Sequence, residues 1–233
     1  MSQNQALFRH IGIIPDGNRS WAAANNLTTA EGHQYGYSKI KEVLDWCRQI
    51  GLKTLTIYAF STENWSRVPT EVKFLMQLLY RVLSSRSNLQ EFKEKGVNVR
   101  IIGQKDHLSA RLQKAIRHIE NETRDNSQIL LQVAFSYGGR AEIIDAIKRI
   151  AKQGFQSEQI TEQMVSESLW TAGVPDPDMI IRTSGVMRLS NFLLWQSAYS
   201  ELFFTPTLWP DFSRAEFDAI VAEFNQRKRR YGH

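Results

Sequence analysis

Apolar and polar positions alternate along this chain in two different rhythms. Short β-branched or aromatic runs recur at 11–14 ("IGII"), 52–60 ("LKTLTIYAF"), 97–103 ("VNVRIIG"), 128–137 ("QILLQVAFSY"), 178–185 ("DMIIRTSG") and 201–205 ("ELFFT"). Between most of them, at 33–50, 70–95, 106–123, 139–153 and 213–230, apolar residues return at helical spacing. Strands that alternate with helices are joined by right-handed crossovers. The pattern therefore predicts an α/β fold: a mainly parallel, six-stranded sheet flanked by helices on both faces.

Sheets of this kind bind ligands beyond the carboxyl ends of their strands. "IGII" runs into Asp16, "LTIYAF" runs into "STENWSR" at 61–67, "MIIRTSG" carries Arg182 and is followed by Arg188, and "SELFF" has Glu201 at its start. The strand ends thus predict one cleft rich in Asp, Glu, Asn and Arg.

Bulk properties narrow the possibilities. The 233 residues show no repeat, no low-complexity block and no Pro/Gly/Ser linker, so one domain over 1–233 is expected. The leading "MSQNQALFRH" has no long apolar stretch and no run elsewhere can span a bilayer, which predicts a soluble, cytoplasmic protein with at most peripheral membrane contact. Cys47 is the only cysteine. An intrachain disulfide and a multi-cysteine zinc site are excluded, and a lone cysteine on a patterned helix reads as packed. The net charge of +5 owes much to "RKRRYGH" at the C-terminus, which reads as a solvated tail; no nucleic-acid motif is present, and none is expected as partner.

Three stretches carry candidate chemistry. In "HIGIIPDGNRSW", Gly17 permits a turn and close backbone approach, and Asn18 and Arg19 precede "SWAAANN", which can begin a helix whose amides attract phosphate. Asp16 suits an oxygen-ligated Mg²⁺ bridging to diphosphate oxygens; an ordinary Asp-Gly turn is the plainer alternative. In "FSTENWSR", Ser61 and Thr62 read equally as caps and Trp65 as a core plug. In "IRTSGVMRLSNFLLWQ", Arg182, Arg188 and Ser190 lie in a loop between a strand and an apolar helix; two Arg forks and a hydroxyl make a diphosphate clamp. His33, in "AEGHQYGY", reads as a cap, an interior residue, or a donor or proton relay near a diphosphate.

Taken together, "HIGIIPDGN…W", "GH", "YAFSTENWSR", "SYGGR", "IRTSG…R.SNFLLWQ" and "SELFFT…WPDF" resemble, in collinear order from about His10 to Arg230, the cis-prenyltransferases, whose best-known member is undecaprenyl diphosphate synthase. The resemblance implies the fold of that enzyme and a Mg²⁺-dependent condensation of an allylic diphosphate with isopentenyl diphosphate by a homodimer. It places Asp16 on Mg²⁺ and Gly17, Asn18, Arg19 and Trp21 around the allylic diphosphate. Arg182, Arg188 and Ser190 would hold isopentenyl diphosphate, with Glu201 near the metal or contributed by the facing subunit. Ser61, Glu63, Asn64, Trp65, Arg67 and His33 would surround the reacting carbons, with Ser61, Glu63, Asn64 and His33 in catalytic roles beside Asp16.

Several positions depart from the family pattern. Ser20 and Thr29 stand where the resemblance expects phosphate-binding arginines, and Ser184, Val186 and Met187 alter the fifth-strand motif. Tyr37 and Phe135 stand at commonly small tunnel positions, which predicts a short product. The alternatives are irregular head-to-middle coupling or cyclisation of prenyl diphosphates on the same fold and, further off, a non-catalytic accessory subunit.

Overall fold

All six expected strands form in the computed structural model, which describes residues 8–227. They are β1 (His10–Ile14), β2 (Thr54–Ser61), β3 (Val97–Ile102), β4 (Ile129–Tyr137), β5 (Met179–Arg182) and β6 (Glu201–Phe204). One sheet holds them in the order β3-β4-β2-β1-β5-β6. Every pairing is parallel. The register sets Ile14 opposite Arg182 and Met179 opposite Glu201.

Helices α1 (Asn18–Ala24) and α2 (Thr29–Gln49) follow β1; α3 (Pro69–Ser84) and α4 (Arg86–Glu94) follow β2. Then come α5 (Ala110–Thr123), α6 (Gly139–Lys152), α7 (Glu162–Ser168) and α8 (Arg214–Gln226). The start of α2 is fixed by a reciprocal cap, in which Thr28 accepts from the Glu31 amide and the Glu31 carboxylate accepts from the Thr28 amide, one turn before the apolar spacing begins. The single helix expected over 70–95 is two helices. Ser85 leaves helical geometry at ψ 121° and its hydroxyl accepts from the Asn88 amide, so it ends one helix and caps the next while the apolar stripe runs on unbroken. The apolar helix expected after Ser190 does not form: the segment is a series of turns, with Ser190, Asn191 and Leu193 at positive φ. Of the basic C-terminal cluster only Arg227 is described, paired with Glu201 and Glu223; residues 228–233 lie outside the described residues, as do 1–7.

The sheet separates two cores. On one face Ile11, Ile13, Leu55, Ile57 and Val99 pack with Val43, Leu44 and the buried Cys47 of α2, Leu79 of α3, Ile116 of α5 and Phe217 of α8. On the other, Ile14, Tyr58, Ala134 and Ile180 meet Phe192 and Leu193. No helix is long and apolar enough to cross a membrane, among the described residues.

A polar chain crosses the second face. His10 Nδ1 donates to the Pro175 carbonyl at 2.7 Å, its Nε2 lies 2.7 Å from Thr56 Oγ1, and that hydroxyl lies 3.0 Å from the Gln132 side-chain amide. Burial lowers the pKa of His10 to about 4. Because the unfolded chain binds this proton near pH 6.5 and the folded chain does not, the stabilisation is complete above pH 6.5 and is lost as pH falls toward 4. Chemical denaturation should show the native protein losing about 3 kcal/mol more than His10→Gln over that window, about 1.4 kcal/mol per pKa unit. Parallel pH profiles for the two proteins would contradict the assignment.

Candidate active site

Asp16 lies two residues past the end of β1 and Arg182 ends β5, and because the two strands are adjacent and parallel these side chains meet: Arg182 Nη2 donates to Asp16 Oδ2 at 2.7 Å. The other Asp16 oxygen accepts from the Gly17 amide at 2.9 Å. Gly17 has φ +107°, and a Cβ there would sit 2.8 Å from Leu208 Cδ2, so the turn requires glycine. Arg182 reaches onward through Nη1 to the Arg188 carbonyl and to Ser190 Oγ (2.7 Å), and Arg188 Nε donates to the same hydroxyl at 3.2 Å. Two guanidinium groups therefore converge on one serine beside one carboxylate. The Arg182 side chain is 5% exposed, where a charge-assisted bond is screened least.

At the end of β2, Ser61 and Asn64 cap one another. The Asn64 amide donates to Ser61 Oγ at 3.2 Å and the Ser61 amide to Asn64 Oδ1 at 3.0 Å, which leaves the Asn64 side-chain NH₂ as a spare donor. Glu63 accepts from Asn191 Nδ2 at 2.8 Å. Asn191 also caps α6, its carbonyl accepting from the Gly139 amide and its Oδ1 from the Arg140 amide. Asn191 is thus a connector that the sequence analysis missed, visible only as part of "SNF".

A second missed residue is Glu71, which reads as an acidic first-turn residue of α3. Its carboxylate gathers His33 Nε2 (3.1 Å), Arg67 Nη1 (2.8 Å) and, at 4.0 Å, Arg19 Nη1. Burial holds the His33 pKa below its usual value, and contact with Glu71 works against that.

All of this surrounds the mouth of a cavity of about 1130 Å³. Asp16, Gly17, Asn18, Arg19, His33, Ser61, Glu63, Asn64, Arg67, Arg182, Arg188 and Ser190 form its polar end. Ser20 and Thr29, both exposed, line that end too. Inward the lining becomes apolar, through Ile40, Leu44, Leu79, Val82, Val99 and Leu131. Tyr37 and Phe135 belong to it; Phe135 stacks on Phe60 at 5.0 Å between centroids, and burial pushes the Tyr37 phenol up to about 12.

Three expected site residues are not brought in. Trp21 turns away, donating to Asp211 Oδ1 at 2.7 Å and packing on Tyr35. Trp65 donates to Ser136 Oγ at 2.9 Å and meets Phe60 edge-on, the plug reading of its sequence. Glu201 begins β6, and in a parallel sheet the beginning of a strand lies at the end away from Asp16. It pairs there with Arg227 at 2.6 Å. Within one chain Glu201 is not a ligand beside Asp16.

Among the described residues no group of three or more His, Cys, Asp or Glu could hold a metal ion. A lone strand-end carboxylate still fits Mg²⁺, which keeps several waters and completes its shell with phosphate oxygens. The Asp16 side chain is 41% exposed and lines the cavity, as that arrangement needs.

A prenyltransferase family model described as undecaprenyl diphosphate synthase matches residues 14–232. An isoprenyl transferase of Fusobacterium nucleatum is 47% identical over 96% of this chain and 95% of its own. A tritrans,polycis-undecaprenyl-diphosphate synthase (geranylgeranyl-diphosphate specific) of Thermoplasma volcanium is 43% identical over 96% of this chain and 88% of its own. Among solved structures, a lavandulyl diphosphate synthase from Lavandula x intermedia in complex with dimethylallyl diphosphate superposes with a TM-score of 0.92 at 36% identity, over 98% of this chain and 99% of that one.

The placing of Asn18 gives a test. Gly36 of α2 lets α1 approach so closely that an added Cβ would lie 2.1 Å from Asn18 Oδ1. In a helix Gly→Ala ordinarily gains up to about 1 kcal/mol, whereas overpacking costs about 1–3 kcal/mol. Gly36→Ala should therefore lower stability by about 1 kcal/mol and displace Asn18 from the cavity mouth. A variant as stable as the parent in urea titration would show that the close approach is not required.

Proposed function

The chain belongs to the undecaprenyl diphosphate synthase family of cis-prenyltransferases, enzymes that transfer prenyl groups, and on that premise we propose that it condenses an allylic diphosphate with isopentenyl diphosphate in cis, with Mg²⁺. The observation that carries this reading is the joint Asp16–Arg182–Ser190–Arg188 arrangement at the polar mouth of an apolar cavity.

Breaking an allylic C–O bond leaves a carbocation and a diphosphate, so the site must stabilise anionic charge and shelter carbon from water. Mg²⁺ bound by Asp16 and phosphate oxygens would neutralise the leaving group. Gly17, Asn18 and Arg19 hold the allylic diphosphate, aided by the Asn64 NH₂; Arg182, Arg188 and Ser190 hold the isopentenyl diphosphate. Arg182 touches both halves, since it bonds Asp16 and Ser190, and so fixes their separation before substrate arrives. No covalent nucleophile is required. The apolar lining takes the hydrocarbon tail, and at about 1130 Å³ the whole cavity exceeds the 300–1,000 Å³ usual for drug-sized ligands. Tyr37 and Phe135 are the rings a growing chain meets, and the proposed product is short because they narrow its path. A homodimer completes the proposal: among the described residues no strand pairs with the outer edge of β6, whose Leu202 is 38% exposed, and only a second copy can bring a Glu201 to this mouth.

A second reading, irregular head-to-middle coupling, is favoured by Ser20 and Thr29 at the polar end in place of two cations, and by the 0.92 TM-score with a synthase of the branched lavandulyl skeleton.

Incubating purified protein and Mg²⁺ with dimethylallyl, geranyl or farnesyl diphosphate, with and without isopentenyl diphosphate, tests both. Linear cis products that need isopentenyl diphosphate support the first reading; branched products from dimethylallyl diphosphate alone replace it with the second. Mass spectrometry of the same products should show short chains from the native enzyme and longer ones from Tyr37→Ala/Phe135→Ala. Long polyprenyl chains from the native enzyme would refute the narrowing.

The clamp is tested by Arg188→Ala, which removes one charge-assisted bond and leaves the Asp16–Arg182 pair intact. The expected loss is about 1.5–3 kcal/mol, read as a rise of about 10- to 150-fold in the Michaelis constant for isopentenyl diphosphate. An unchanged constant would remove Arg188 from the clamp.

A further inference from the structure

A second cavity, of about 810 Å³, opens between α6 and the segment that follows β3, and it shares no lining residue with the first. Five of its lining residues are cations: Arg100, Lys105, Arg140, Lys148 and Arg149. Two of these are neutralised, Lys105 by Glu120 at 3.0 Å and Arg149 by Asp145 at 2.8 Å. Arg100, Arg140 and Lys148 make no ion pair among the described residues.

Unpaired cations are ordinary on an exposed surface, but Arg100 is half-buried. Its neighbours Val99 and Ile101 point into the core on one face of the sheet, so strand alternation turns Arg100 to the other face, under this cavity. A guanidinium has five N–H donors, and here Nη1 makes one long hydrogen bond, 3.4 Å to the Ala172 carbonyl. Such a group has lost part of its hydration without gaining the acceptors that normally compensate. An anion entering the cavity would supply them.

We propose that this cavity binds a small ligand carrying two or more phosphate groups, held by Arg100, Arg140 and Lys148. Arginine suits phosphate because its paired N–H donors match two oxygens at once. The spacing of the cations argues for more than one phosphate. Arg140 and Lys148 stand on α6 eight residues apart, about 12 Å along the helix axis, while Arg100 enters from the sheet. The space argues for an organic part as well, since about 810 Å³ lies within the 300–1,000 Å³ usual for drug-sized ligands. Trp170 and Ile144 offer that part an apolar wall: Ile144 is 51% exposed, and the Trp170 indole is held by a 2.8 Å bond to Asp145 Oδ2 and an edge-on contact with Tyr137. The lining is otherwise mostly polar or charged, which does not suit a long hydrocarbon tail. Asp106 and Asp145 lie among the cations and interrupt the continuous positive track that a nucleic-acid backbone follows.

The site is tested without reference to prenyl transfer. Nitrogen-15 NMR of the whole protein, without Mg²⁺, reads it through the Trp170 indole and the Lys105 amide. Titration with inorganic pyrophosphate, ADP or dimethylallyl diphosphate should move both signals along one saturable curve. These three share the diphosphate and differ in what it carries, so their order of affinity identifies the organic part. Inorganic phosphate, which reaches fewer of the cations, should bind about 10-fold more weakly than pyrophosphate or worse, the equivalent of one charge-assisted bond. Arg100→Gln and Lys148→Gln should each weaken binding by a similar factor. Lys148 is exposed, so its replacement tests the site without disturbing the fold. Signals from Asn64 and Arg188, which line the first cavity, should respond to diphosphate alike in the native protein and both variants, and this separates the two sites. Unmoved Trp170 and Lys105 signals with all three diphosphates would overturn the proposal. So would equal affinity in Lys148→Gln, or phosphate bound as tightly as pyrophosphate.

Discussion

The ion pair between Asp16 and Arg182 is the contact on which the rest of the site depends. It ties the ends of two neighbouring parallel strands, β1 and β5, at the level where the register sets Ile14 against Arg182. A guanidinium only 5% exposed is expensive to desolvate, and such a group persists in a fold only where its partners are in place. Here they are Asp16, Ser190 and the Arg188 carbonyl, and each belongs to the polar mouth. The pair is therefore better understood as a spacer than as a source of stability. It holds a carboxylate and a hydroxyl apart, in orientation, at the edge of a cavity that water can reach.

Rigidity spreads outward from that pair through the turns that follow Ser190. Tyr58 donates to the Ser190 carbonyl, Asn191 caps α6 and grips Glu63, and Leu193 and Phe192 are wholly buried beneath them. Positive φ at Ser190, Asn191 and Leu193 is backbone strain that a free loop would release. The buried rings and the cap hold it in place. In the proposed reaction this loop would hold the isopentenyl diphosphate, and donors that need no rearrangement would fix that partner in place before the allylic bond breaks.

On the opposite side of the mouth the arrangement is looser and more acidic. Arg19 is 62% exposed and Arg67 30%, Glu71 neutralises part of their charge, and Ser20 and Thr29 add none. In the proposed reading the two diphosphate subsites would be unequal: one is built on the buried Arg182, the other on a screened and partly solvated set. That asymmetry would give the allylic side less electrostatic hold than the isopentenyl side and leave donor choice to the shape of the apolar cavity.

Much of this was legible in the chain itself. Apolar period separates strands from helices wherever an element is long enough to show it, and parallel connection then forces the ends of β1, β2 and β5 to one edge. Asp16, Ser61, Asn64, Arg182 and Arg188 converge for that reason alone. What the sequence could not settle depends on direction and on distant partners. Glu201 sits in a motif as suggestive as the others, yet it starts its strand, so parallel pairing sends it to the far end to meet Arg227. Trp21 and Trp65 find hydrogen-bond partners 190 and 71 residues away, which no local pattern announces. "SNFLLWQ" has helical apolar content but is held in turns by the buried network around Arg182 and Asn191. Glu71 looks like any acid in a first helical turn until α2 brings His33 against it. Periodicity and strand ends are local properties and were fixed by residue order; the aim of each side chain was decided by tertiary packing, because it depends on which remote group lies within about 3 Å, the reach of a hydrogen bond.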